Sequence, residues 1–155
     1  MKAESNNQSK EDVQLIAAIR IRGSISVKKD IKDTLIMLRL FRVNHCVLVP
    51  NNADFTGMLK KTKEYLTWGE INQETLEKLV LKRGRASGNK KLDKNHAKEF
   101  AKQILKNKSL KGLSLKPVFR LSPPSKGHKS TRKHYPKGAL GYRKERINDL
   151  LKRMI

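Results

Sequence analysis

The sequence predicts an α+β fold, on three observations. Over 13–22 the odd positions Val13, Leu15, Ala17, Ile19 and Ile21 are apolar while Gln14, Arg20 and Arg22 fall on even ones, the period-2 pattern of a half-buried strand. Val27, Ile31, Leu35 and Leu38 then recur at helical spacing up to about Phe41, with Ser26 as the expected N-cap. His45-Cys46-Val47-Leu48-Val49 is a short apolar run stopped by Pro50, as in an interior strand covered on both faces. Two consecutive strands joined by such a helix are expected to run parallel, with a right-handed crossover.

The following elements continue the alternation and then depart from it. Asn51, Asn52 and Asp54 form a turn or cap, and Phe55, Met58, Leu59, Thr62 and Leu66 line one side of a second helix over 54–66. Thr67-Trp68-Gly69-Glu70-Ile71 ends that pattern, with Trp68 expected as a packing anchor at a junction rather than a base-stacking platform. Leu76, Leu79 and Val80 mark a short helix that Gly84 terminates. A basic loop expected to be flexible follows over 85–91. Asp93 can cap a helix in which Ala97, Phe100, Ala101, Ile104 and Leu105 form the most regular helical stripe of the chain. After a connector at 106–112, Leu113, Leu115, Phe119 and Leu121 alternate with polar residues as a late strand, Pro117 taking a position where no amide proton is needed. Residues 126–141 have no periodicity and read as an extended arm, and Ile147, Leu150, Leu151 and Met154 make a short terminal helix. Ile19, Leu35, Val47 and Phe119 are expected to share one core.

Composition narrows the function. The chain has 155 residues and a formal net charge of +22. At 37% apolar residues it can fill one modest core or two small ones, too little for a large catalytic domain. No apolar run is long enough to span a bilayer and the polar start has no secretory-signal pattern, so a cytoplasmic protein is expected. Cys46, alone within an apolar stretch, fits a buried small hydrophobe in a reducing compartment.

The charge is unevenly placed. Residues 1–77 hold 12 basic and 10 acidic side chains, whereas 78–155 hold 24 basic and four acidic. Between Glu99 and Glu145 lie 45 residues with 13 Lys or Arg and no carboxylate. Local ion pairs cannot neutralise these cations, so a polyanionic partner is inferred. A membrane surface fits poorly, because the basic segment is broken by Gly and Pro and lacks an apolar opposite face. Nucleic acid fits better.

No catalytic or metal constellation stands out. The four histidines and one cysteine match no ligand spacing. The stretch from Gly84 to Lys91 has too few residues between its glycines for a phosphate-binding P-loop, and no Ser or Thr follows its lysine. No enzyme activity, cofactor or metal is therefore expected. The candidate RNA-binding residues are instead Lys82, Arg83, Arg85, Lys90 and Lys91 in one basic region, and Lys126, His128, Lys129, Arg132, Lys133, His134, Tyr135, Lys137, Tyr142 and Arg143 in another. Lys and Arg neutralise phosphates, glycines let backbone approach them, and Tyr135, Tyr142 or His134 could stack on an unpaired base. For each tyrosine, packing against the core with a wet hydroxyl is an equal alternative. With no recognition helix, shape-following RNA binding is favoured over base reading in duplex DNA.

Four ordered blocks carry a resemblance: Arg42-Val43-Asn44-His45-Cys46-Val47-Leu48-Val49-Pro50, Leu79-Val80-Leu81-Lys82-Arg83-Gly84-Arg85, Phe119-Arg120-Leu121-Ser122-Pro123-Pro124, and Arg132-Lys133-His134-Tyr135 followed by Gly138-Ala139-Leu140-Gly141-Tyr142. From about Val13 onward the chain resembles the archaeal form of the large-subunit ribosomal protein L-thirty family, related to the eukaryotic L-seven protein. The resemblance implies a ferredoxin-like βαβαβ core whose third strand, near 117–122, follows a helical insertion. On this reading 1–12 is a flexible N-terminal segment, 13–70 with 113–124 is the core, 71–112 is the inserted helical part, and 125–155 is the basic arm with the C-terminal helix. It also implies a structural role on large-subunit ribosomal RNA, with contacts toward the 5S RNA and neighbouring ribosomal proteins, one copy per large subunit, and no catalysis. A free nucleoid or RNA-chaperone protein is the alternative, and an RNA-modifying enzyme a more distant one.

Overall fold

The computed structural model describes residues 14–107 and 114–155. The expected flexible segment 1–12, Val13, the later part of the 106–112 connector and Leu113 lie outside the described residues. Five strands form: β1 (Leu15–Arg20), β2 (His45–Pro50), β3 (Leu66–Glu70), β4 (Val118–Arg120) and β5 (Gly141–Tyr142). The helices are α1 (Lys29–Met37), α2 (Ala53–Lys61), α3 (Gln73–Arg83), α4 (Lys94–Asn107) and α5 (Ile147–Met154). The expected mixed α+β class is what forms, as a single sheet in the order β4-β2-β1-β3-β5.

The direction of the first two strands corrects the expectation. β1 and β2 are antiparallel, with Ile19 opposite Cys46 and Ala17 opposite Leu48. The chain leaves β1 and re-enters β2 at the same end of the sheet, and the Asn44 amide donates to the Arg20 carbonyl at 2.8 Å. Arg20 holds this end together. The residue is 3% exposed, and its guanidinium donates to the Leu40 carbonyl at 2.7 Å, the Phe41 carbonyl at 3.1 Å and the Ser24 hydroxyl at 2.8 Å. Helix α1 is thus an out-and-back excursion tied at its base, not a crossover. Ser26 has a positive φ and α1 is preceded instead by Lys28, without a side-chain cap.

β3 is the second correction. The segment read as a helix end and junction is a strand, antiparallel to β1 with Ala17 opposite Gly69. Its glycine obscured it, since glycine weakens a strand pattern. Gly69 is nevertheless required: a Cβ there would stand 2.0 Å from the Lys144 carbonyl oxygen. The third core strand therefore precedes the helical stretch, and the late strand β4 is an edge strand, antiparallel to β2 with Cys46 opposite Phe119.

β1 is buried on both faces, not one. Leu15, Ala17 and Ile19, with Cys46, Leu48 and Phe119, face a core completed by α3, α4 and α5. Ile16, Ala18, Val47, Val49 and Trp68 face a second core with Leu35 and Leu59 of α1 and α2. The four residues expected in one core are divided between two, Ile19 with Phe119 and Leu35 with Val47. The even positions Ile16 and Ala18 are the signal for this second layer. Trp68 is the packing anchor expected of it, and Cys46 is fully buried, its thiol pushed up to about 12 by desolvation.

Candidate nucleic-acid interface

The segment expected to be an extended arm is a closed loop. Its backbone turns at Lys126 and Gly127, both with positive φ, where the Gly127 amide donates to the Pro124 carbonyl at 2.9 Å. Farther on, Ala139 donates to Ser130 at 2.7 Å, Leu140 to Lys133 at 3.2 Å, Gly138 to His134 at 2.8 Å and Tyr135 to Leu140 at 2.8 Å. Gly138 permits the tight return, since a Cβ there would meet the Lys133 carbonyl oxygen at 2.0 Å. Ala139 and Leu140 are buried with α5, and β5 then pairs parallel to β3, Thr67 opposite Gly141. Two buried apolar residues and backbone hydrogen bonds suffice to hold such a loop, and neither leaves a periodic signal.

Arg143 pins the loop from below. Its Nε donates to the Thr67 hydroxyl at 2.9 Å and one Nη to the Gly138 carbonyl at 3.2 Å, while the Thr67 hydroxyl donates to the Gly141 carbonyl at 3.0 Å. Burial lowers its pKa, an effect opposed by Tyr135 and reinforced by the nearby Arg153. Arg143, expected as a phosphate ligand, therefore spends two of its hydrogen bonds on the protein.

The loop and the end of α5 enclose a cleft of about 330 Å³ lined by Lys126, His128, Lys129, Tyr135, Arg143 and Arg153 together with glycine and proline backbone. Among the described residues that line it, none is acidic. The pKa of His128 is lowered, first by burial and then by the charges of Arg143 and Arg153. Arg153 was missed in the sequence because it sits in an ordinary amphipathic helix. Its backbone and side chain meet the loop through Ser125, whose amide donates to the Arg153 carbonyl at 3.1 Å. Arg132, Lys133, His134 and Lys137 lie exposed on the same loop.

The other basic region is organised differently. Arg83 donates to the Ile155 carbonyl at 3.0 Å, satisfying an acceptor at the end of α5, and also to the Ser122 hydroxyl just after β4. Arg85 is half-buried in a bridge to Lys91, closed by Ala86 donating to Lys90 at 3.0 Å and Lys116 donating to Arg85 at 2.9 Å. The expected flexible loop is a tight turn that leaves Lys90 and Lys91 exposed, with Lys82 exposed beside it in the last turn of α3. Both basic regions are rooted at the end of α5, where the Met154 carbonyl also accepts from the Ser122 amide at 3.1 Å.

Tyr142 packs and remains accessible at once. Its ring centre lies 6.3 Å from that of Trp68, tilted by 32°. Its hydroxyl donates to the Glu70 carboxylate, and burial together with that carboxylate pushes its pKa up to about 12. Among the described residues, no group of three or more His, Cys, Asp or Glu could hold a metal ion, and no helix is long and apolar enough to cross a membrane.

Comparison with known proteins places these features in a family context. The family model described as ribosomal protein L30p/L7e matches residues 16–66, the stretch from β1 into β3. The large ribosomal subunit protein uL30 of Methanococcus vannielii is 49% identical, the match covering 90% of this chain and 98% of that protein. The uL30 proteins of Archaeoglobus fulgidus, at 48% identity, and Nanoarchaeum equitans, at 47%, are covered over 99% of their lengths by 90% and 91% of this chain.

Proposed function

The chain belongs to the ribosomal protein L30p/L7e family, and from that membership we propose that it is a structural constituent of the large ribosomal subunit. It binds ribosomal RNA through its basic loops and supports subunit assembly. The observation that carries the RNA-binding surface is the cleft of Lys126, Lys129, Arg143 and Arg153, whose described lining has no carboxylate. Cations that converge without local counterions repel one another, and a phosphate group relieves that repulsion while displacing condensed counterions from the RNA.

On this reading Lys126, His128, Lys129, Arg132, Lys133 and Lys137 meet RNA directly, Lys82, Lys90 and Lys91 form a second contact, and Arg83, Arg85 and Arg143 hold the loops in shape. The protein acts without catalysis in the cytoplasm, as one copy per large subunit, touching neighbouring ribosomal proteins and reaching toward the 5S RNA. The free nucleoid or chaperone role is not favoured, since the uL30 relatives match nearly the whole chain.

The test is a competition between tagged wild type and the Lys129→Ala, Arg132→Ala, Lys133→Ala triple variant for incorporation into large subunits, with fold checked by circular dichroism. The variant should be depleted from subunits while its fold is retained. A matching change at Lys28, Lys29 and Lys32 should cost less, because Asp30 and Asp33 lie on the same helix. Equal incorporation of the loop variant and wild type would overturn the assignment.

A further inference from the structure

A second cleft, of about 450 Å³, opens where β3 and β5 meet the helix α2. Its walls differ from those of the cationic cleft. Ile16, Trp68 and Tyr142 give it an apolar, largely aromatic lining, and the side chains of Lys60 and Lys63 stand on its rim. Asn51 adds a carboxamide whose oxygen accepts from the Thr56 hydroxyl at 3.3 Å, and Glu70 adds a carboxylate that accepts from the Tyr142 hydroxyl, so the polar part of the lining offers donors and acceptors of both charges. His134 closes it from the loop, and the absence of a side chain at Gly141 makes room for that imidazole, since a Cβ there would lie 2.9 Å from His134 Nδ1.

We propose that this cleft receives an unpaired nucleobase of the bound RNA, with the attached phosphate held by Lys60 and Lys63. The inference rests on the RNA-binding reading above and deepens it. An aromatic wall beside a mixed hydrogen-bonding edge, with Glu70 able to accept from a base's amino group, suits a planar heterocycle, and the two exposed lysines suit an anion tethered to it. A purely apolar peptide side chain would leave both lysines and the carboxamide unmatched. Continuity also favours the nucleotide: the consecutive residues His134 and Tyr135 line this cleft and the cationic one respectively. One RNA strand following the loop thus meets a phosphate site on one side and a base site on the other. The Tyr142 ring lies 6.3 Å from that of Trp68, and packing there places it on the cleft wall.

Trp68 is the single tryptophan of the chain and lines this cleft, so its fluorescence can report binding there. The experiment titrates the full chain with each of the four nucleoside 5′-monophosphates, using ribose 5-phosphate as the probe that lacks a base. Saturable quenching is expected from at least the purine nucleotides by about 10 mM, a concentration that nearly fills a millimolar site. Ribose 5-phosphate should leave the emission unchanged. Tyr142→Ala should weaken mononucleotide binding about fivefold or more, while Tyr142→Phe, which keeps the ring, should stay within about twofold of wild type. Lys60 and Lys63 are exposed, and their double alanine variant should fold normally and lose affinity for monophosphates but not for the free nucleosides. Absence of saturable quenching by all four nucleotides, or equal quenching by ribose 5-phosphate, would overturn the base site. Retention of ribosomal RNA by the same protein shows whether the wider RNA-binding reading survives that failure.

Discussion

The guanidinium carbon of Arg143 lies 5.1 Å from the centre of the Tyr135 ring. With the bonds from Arg143 to Thr67 and Gly138, that contact fastens the cationic loop to β3. Arg143→Ala should therefore loosen the loop, leaving the Thr67 hydroxyl and the Gly138 carbonyl each short of a partner at about 1–3 kcal/mol if buried. Amide exchange provides the measurement. In the free wild-type protein the amides of Tyr135, Gly138 and Leu140 should be protected, and in Arg143→Ala they should exchange faster while those of β1 stay slow. Wild-type amides that exchange freely would contradict the closed loop.

The two cores make a second prediction. Leu35→Ala should cost roughly 2–5 kcal/mol and Phe119→Ala roughly 3–5 kcal/mol through the cavities they leave. Because Leu35 and Phe119 pack on opposite faces of the sheet, the double variant should equal the sum within about 0.5 kcal/mol. Lys129→Ala should stay within about 0.5 kcal/mol of wild type. Denaturant unfolding checks all three, and a coupling of several kcal/mol between Leu35 and Phe119 would mean the cores are not independent.

These cores also show what could be read from residue order. The apolar stripe of α4, the run at Cys46–Val49 and the odd positions of β1 identified elements correctly, because burial of one face or both imposes a period. Arg20 shows where such reading stops. Its even position predicted an outward side chain, yet the base of the α1 excursion supplies enough carbonyls to bury it, and only the assembled fold puts them there. β3 was hidden by Gly69, whose reason is a carbonyl 75 residues later in the chain. The cationic cleft was legible as charge density around Lys126 and Lys129, but not as a cleft, because Arg153 joins it through tertiary packing alone.

Salt should govern affinity. If roughly 6–10 phosphates are neutralised at about 0.7 logarithmic units each, RNA binding should weaken by several orders of magnitude between low and moderate salt. Filter binding of ribosomal RNA fragments at increasing potassium chloride measures the slope. A slope near one would leave no role for most of the exposed cations.

His128 gives a pH-dependent signature. Its pKa in the fold lies below the ordinary value of 6.5, through burial and then through Arg143 and Arg153. Between the two values the unfolded chain binds more protons than the folded one, so this residue's contribution to stability falls as pH drops through that window and levels off below the folded pKa. Phosphate in the cleft acts in the opposite sense, favouring the imidazolium. RNA binding should therefore raise the His128 pKa, take up a proton and tighten as the solution is acidified. Nuclear magnetic resonance titration of the His128 ring with and without RNA tests this, and an unchanged pKa would place the phosphate elsewhere.

The parallel pairing of β3 with β5 joins Thr67 to Gly141 across most of the described chain. The loop-closure cost of such a pairing grows only slowly with its length, but non-local contacts of this kind slow folding. The β1-to-β3 part can pair its strands while α3, α4 and α5 are still unplaced, but the cationic cleft cannot take shape until α5 has docked and brought Arg153 to the loop. A misfolded or half-folded copy then carries the same charge as a finished one yet presents no cleft. Shape at this site thereby reports that the hydrophobic interior has closed.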